Sequence, residues 1–130
     1  MLVTKRADRT ILVVDDADDI RDMYAHFLSS EGFKVALASN GQEAVDKALE
    51  VLPTVILMDL ALPIMGGLEA TKSIKSHPKT RHIPVILVTA QVRKGPAAVI
   101  EAGCEGFLVK PCALPDIVAE IERVLKRAED

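Results

Sequence analysis

The sequence predicts an α/β domain built on an open, doubly wound sheet of five parallel strands. Two observations carry that expectation. Five short, β-branched and mostly unbroken apolar runs recur along the chain, as strands covered on both faces require. The longer stretches between them repeat apolar residues at helical spacing, and five strand–helix units are too few to close a barrel. Right-handed crossovers then place helices on both faces of the sheet.

The first strand is TILVV at 10–14. After it, Ile20, Met23, Tyr24, Phe27 and Leu28 fall at i, i+3, i+4, i+7 and i+8, one apolar stripe on a helix of about 18–31 that Gly32 stops. FKVAL at 33–37 is the second strand. Asn40 followed by Glu43 is a capping-box signature, opening a helix over Ala44, Val45, Ala48 and Leu49 that Pro53 prevents from continuing. TVILM at 54–58 is the third strand, and a third helix covers about 67–76. The polar segment SHPKTRHIP returns the chain to the fourth strand, PVILV at 84–88. Pro96 suits the first turn of a short fourth helix, about 96–102, which Gly103 closes. The fifth strand is GFLV at 106–109, and Pro115 opens a last helix with the stripe Ile117, Val118, Ile121, Val124 and Leu125.

A length of 130 residues fits one domain, with a core over about 10–127. Sixteen Lys and Arg against 19 Asp and Glu leave a formal charge of −3, and the aromatics number four (Tyr24, Phe27, Phe33, Phe107). That balance argues against nucleic acid, which calls for basic surface and stacking rings. Apolar runs reach about five residues, against the roughly 20 needed to span a bilayer, and MLVTKRADRT lacks the apolar core of a signal peptide. The chain therefore reads as cytoplasmic. Cys104 and Cys112 bracket the fifth strand, whose extended path of about 3.3 Å per residue holds them beyond disulfide reach. Two free, largely buried thiols are expected. His77 and His82 fall in surface loops and His26 on a helix face, so no zinc site is expected.

In open α/β sheets, ligands bind beyond the carboxyl ends of the strands. Here those ends carry Asp15 and Asp16, Asp59, Thr89, and Lys110 with Pro111. Each alone has a plainer explanation, such as an Asp pair capping a helix or a threonine ending a strand. Their joint placement points to a site. Carboxylates about 4 Å apart repel by roughly 4 kcal/mol per pair at an effective dielectric of 20, so the cluster needs cations. Lys110 supplies one charge, and an all-oxygen site with incomplete protein ligation suits magnesium. A carboxylate in that setting can attack phosphorus.

The ordered set ILVVDDADD, VILMDLALPIMGGLEATKSIK, PVILVTA and EAGCEGFLVKP resembles the receiver domain of two-component response regulators, across about residues 10–127. The resemblance implies a flavodoxin-like sheet of strand order 2-1-3-4-5. It implies phosphotransfer from a sensor kinase phosphohistidine to Asp59, with Asp15, Asp16, Asp59 and the backbone carbonyl of Ala61 arranging Mg2+, for which Mn2+ can substitute. Lys110 contacts the phosphoryl group, Thr89 moves towards it, and Phe107 swings inward, changing the face made by the fourth helix, fifth strand and fifth helix. Pro63 and Gly67 fall where the family turns after the phosphorylated strand, and Pro111 where it places a cis proline. Ala61 and Gln91 flank the path of an attacking water. Gly66 stands where an acidic residue is usual, and Cys112 where Phe is common.

By that resemblance the protein is a signalling switch that catalyses only its own phosphorylation and dephosphorylation. Its partners are a sensor histidine kinase or phosphotransfer protein, an unidentified protein target, and a second copy if phosphorylation drives dimerisation. A receiver cut from a larger regulator or hybrid kinase is the alternative within the family, although the Met1 start and the charged end KRAED lean towards a complete protein. A small Mg-dependent aspartyl phosphatase is the alternative outside it, but such enzymes place the nucleophile after the first strand and add a cap domain. A flavodoxin-type electron carrier needs a hydroxyl- and glycine-rich phosphate loop where this chain has DDADD, whose charge repels a flavin phosphate.

Overall fold

A computed structural model describes residues 5–90 and 95–129. Its elements run β1 (Thr10–Val14), α1 (Asp18–Ser30), β2 (Lys34–Ala38), α2 (Gly41–Val51), β3 (Val55–Met58), α3 (Gly67–Ser76), β4 (Val85–Thr89), α4 (Gly95–Ala102), β5 (Gly106–Val109) and α5 (Leu114–Glu129). The strands pair in parallel in the order β2-β1-β3-β4-β5. All five expected strands and helices are present, with some boundaries moved by a residue or two. One such move brings Thr89 inside β4 as its last residue.

Alternation along the strands builds two cores, because successive side chains point to opposite faces. Ile11, Val13, Val55, Leu57, Ile86 and Val88 pack with Tyr24 and Leu28 of α1 and with Ile117, Ile121 and Val124 of α5. Leu12, Val14, Ile56, Met58, Val85 and Leu87 pack with Ala44 and Ala48 of α2 and with Ala70 and Ile74 of α3. The central strands β1, β3 and β4 are thus buried on both faces, which is why their sequences show no polar alternation.

Two stripe positions are wetter than their spacing suggests: Met23 of α1 and Leu49 of α2 are exposed. The cap of α2 also differs in one bond. Asn40 Oδ1 accepts the Glu43 N–H at 2.8 Å, but the Glu43 carboxylate returns to the Ser39 N–H at 2.9 Å rather than to that of Asn40. Both thiols are free but half-buried, more accessible than expected. Burial still lifts the Cys104 pKa to about 11, against a smaller lowering by its hydrogen bond with Thr71.

Two tertiary features have no local signature. A turn of 3-10 helix at Arg6–Asp8 brings the Arg6 guanidinium over the Phe33 ring, 5.1 Å from its centroid, and within 3.4 Å of both Glu31 and Glu122. At the edge strand β5, Glu120 of α5 accepts the Phe107 N–H at 3.3 Å while Arg123 donates to the Glu105 carbonyl at 3.1 Å. These side chains cover backbone groups that an open edge leaves unpaired. Among the described residues, no helix is long and apolar enough to cross a membrane.

Candidate functional site

The sheet's carboxyl edge collects the acidic residues because parallel strands all end there. Ladder bonds continue one residue past β1 and β3: the Asp15 N–H donates to the Ala38 carbonyl at 3.2 Å, and the Asp59 N–H to that of Val14 at 3.1 Å. Asp15 and Asp59 therefore emerge side by side with backbones held by the sheet. Asp15 is buried and fully engaged. Its Oδ1 accepts the Ala17 N–H at 2.9 Å, a turn that aspartate forms readily, and its Oδ2 accepts from Lys110 Nζ at 2.7 Å. Asp59 Oδ1 accepts the Ala61 N–H at 3.1 Å, and its Oδ2 accepts from Lys110 Nζ at 3.2 Å. Asp16 is exposed beside them, and Asp15, Asp16 and Asp59 each offer an oxygen within 4.8 Å of the others.

Lys110 reaches this cluster from the end of β5. Its N–H donates to the Thr89 carbonyl at 2.9 Å, and the Lys110–Pro111 peptide is cis. The ammonium bridges two carboxylates on two different strands. Burial by itself depresses a lysine, but the hydrogen bond to Asp15 and the charge of Asp59 outweigh it and hold Lys110 above its ordinary pKa. Asp59 moves upward as well, because burial of its carboxylate outweighs the opposing Lys110 charge and the Ala61 N–H. Burial likewise raises Tyr24, which also feels the Lys110 charge and hydrogen-bonds with Cys112.

The donor set suits a hard divalent cation. Three carboxylates and one ammonium leave a formal charge of minus two, the ligand atoms are all oxygen, and exposed Asp16 keeps the cluster open on one side. Thr89 is buried at the end of β4, and Phe107 is half-buried on β5, one strand further out. The expected residues Asp15, Asp16, Asp59, Ala61, Thr89 and Lys110 thus share one edge. Gln91 lies outside the described residues. Three further residues reach this edge without a local signal: Arg21, which donates to the Asp15 carbonyl; Tyr24, which its spacing marks only as core; and Gly41, which packs against the Met65 carbonyl.

A doubly wound five-stranded sheet with this aspartate–lysine cluster at its carboxyl edge defines the receiver class of signalling domains. The model of the response regulator receiver domain matches residues 11–122, and the chain belongs to that family. The polar-differentiation response regulator DivK of Brucella anthropi is 36% identical over 118 residues, covering 90% of this chain and 96% of that protein. Among solved structures, the chemotaxis response regulator CheY4 of Vibrio cholerae is similar with a TM-score of 0.83 at 30% identity, covering 89% of this chain and 98% of that one. The receiver domain of a sensor histidine kinase from Pseudomonas aeruginosa, solved with a magnesium ion coordinated in its active-site cleft, gives a TM-score of 0.84 at 29% identity over 91% of this chain and 98% of that one. The flavodoxin-like order 2-1-3-4-5 expected from the resemblance is the order observed.

Proposed function

We propose that the chain is a phospho-switch in which Asp59 accepts a phosphoryl group from the phosphohistidine of a sensor kinase or phosphotransfer protein. The observation that carries this reading is the Lys110 ammonium, 2.7 Å from Asp15 and 3.2 Å from Asp59 within a three-carboxylate cluster. Asp15, Asp16, Asp59 and the backbone carbonyl of Ala61 are the residues to hold magnesium, with manganese acceptable to the same oxygen ligands. When bound, the cation neutralises charge on the phosphoryl oxygens.

The chain's own residues supply alignment and charge. A carboxylate oxygen of Asp59 forms the new P–O bond as the P–N bond to the donor imidazole breaks, and the leaving nitrogen keeps the electron pair. The Ala61 N–H holds one Asp59 oxygen in place, and Lys110 meets the arriving negative charge without reorganising. The acyl phosphate carries more charge than the carboxylate it replaces, and the Thr89 hydroxyl is drawn to it. Phe107 turns into the space that Thr89 leaves, altering the face of α4, β5 and α5. That face then engages an unidentified protein target or a second copy of the chain. Ala61 and Gln91 set how readily water reaches the phosphoryl group, and hence the lifetime of the signal. This reading takes 1–130 as one receiver domain working in the cytoplasm.

A receiver belonging to a larger regulator or hybrid kinase is the second reading, favoured by the likeness to the Pseudomonas aeruginosa kinase receiver. The chemistry at Asp59 is common to both. The test is intact mass after incubation with a small acyl phosphate and magnesium, beside Asp59→Asn and a chelated sample. A gain of about 80 Da, one phosphoryl group on an activated carboxylate, is expected in the first sample alone. No gain from the acyl phosphate, and none from a panel of phosphorylated kinases, overturns the proposal.

A further inference from the structure

Arg21 lies on the second turn of α1, outside the acidic cluster, yet its side chain is only 15% exposed and turns back towards β1. Its Nη1 donates to the backbone carbonyl of Asp15 at 2.8 Å, and its Nη2 bonds the carboxylate of Asp18. Its own N–H donates to the Ala17 carbonyl at 2.9 Å. Ala17 in turn donates its N–H to Asp15 Oδ1. The guanidinium thereby ties the carbonyl before Asp16 to the first turn of α1, while the Ala17 carbonyl beyond it is held by the helix's own backbone bond.

We infer that Arg21 is a positioning residue for the candidate metal site, stapling the Asp15–Asp16 turn to α1 so that both carboxylates face Asp59. The inference rests on the reading of Asp15, Asp16 and Asp59 as the magnesium-binding cluster. Asp15 has its side chain fixed by Ala17 and Lys110, but among the described residues no side chain bonds the exposed Asp16 carboxylate, so its direction follows the backbone that Arg21 holds at the Asp15 carbonyl. The planar guanidinium serves two acceptors at once in a way that a lysine ammonium on a flexible stem does not reproduce. Residues that orient metal ligands in this manner contribute about 10- to 100-fold to metal affinity.

Charge and geometry make opposite forecasts, which makes the role testable. Arg21 is a cation beside an acidic cluster, so by charge alone its removal strengthens divalent binding, whereas loss of the staple weakens it. Magnesium chloride is titrated calorimetrically into the full chain, wild type and the variants Arg21→Ala and Arg21→Lys, with thermal unfolding in chelator to verify that each is folded. The positioning role requires Arg21→Ala to bind magnesium roughly tenfold more weakly or worse. Arg21→Lys, which keeps the charge, must also weaken it. Unchanged or tighter binding in Arg21→Ala, or unchanged binding in Arg21→Lys, overturns the inference while leaving the cluster a metal site. Absence of magnesium binding by the wild type, or binding that Asp59→Asn and Asp16→Asn leave untouched, overturns the metal reading and the inference together.

Discussion

Asp59 pairs with an ammonium and yet its carboxyl pKa lies above the ordinary value, because burial of the carboxylate outweighs the Lys110 charge. A carboxyl group whose pKa is raised by folding contributes its full stability below the unfolded carboxylate value, and that contribution is lost as pH rises through the folded value. At neutral pH and without metal, Asp59→Asn is therefore expected to be more stable than wild type, by a few degrees in Tm. The gap closes in acid, where Asp59 itself takes up a proton. Thermal unfolding in chelator at pH 7.5 and again in acid checks both halves, and a less stable Asn variant at neutral pH contradicts the account. Ala61 offers a different test at the same scale. Its N–H holds Asp59, but its exposed methyl neither orients nor blocks a water. Ala61→Asn and Ala61→Glu are expected to change the lifetime of phospho-Asp59 while leaving its formation intact; identical decay in all three proteins refutes this.

The segment joining β3 to α3 is pressed from two sides by glycines. A Cβ on Gly67 lies 2.0 Å from the Asp59 carbonyl oxygen, and one on Gly41, at the start of α2, lies 2.0 Å from that of Met65. The obstacles are backbone atoms, so neither contact yields by a rotamer change. A Cβ on Gly66 is instead 3.7 Å from the Leu60 oxygen, an ordinary contact. Gly67→Ala and Gly41→Ala are each expected to cost about 2 kcal/mol or more, against less than about 1 kcal/mol for Gly66→Ala at the start of α3. Urea unfolding of the three variants measures the contrast, and equal losses count against it. The helices themselves were legible: stripes at i, i+3 and i+4, the Asn40 cap and the stopping residues Gly32 and Gly103, which take positive φ of 99° and 88°. Which glycines touch another element was not, since GG at 66–67 reads the same locally whether or not a strand end lies against it.

At the scale of the whole molecule, strands β1, β3 and β5 bring together charges separated by up to 95 residues. The fold gathers three carboxylates beside Lys110, so a divalent cation that binds there stabilises the native state by mass action. With magnesium at ten times its Kd, the gain is about 1.4 kcal/mol. For a domain of this size that is a rise of roughly 3–6 °C in Tm, and Asp59→Asn, short of one ligand, is expected to show less of it. A wild-type Tm indifferent to magnesium argues against the cluster as its site.

Local pattern alone determined the succession of five strands and five helices, the open parallel sheet, and the five residues Asp15, Asp16, Asp59, Thr89 and Lys110 at its carboxyl edge. It could do so because burial on both faces writes unbroken apolar strands, and parallel strands end on one side whatever their order. Only the tertiary structure decided that Lys110 lies between Asp15 and Asp59, that Arg21 reaches back to the Asp15 carbonyl, that Tyr24 meets Cys112, and that Arg6 covers Phe33. Those pairings follow from strand order and from how helices seat on the sheet. They are distances in space between residues far apart in the chain, and periodicity carries no record of them.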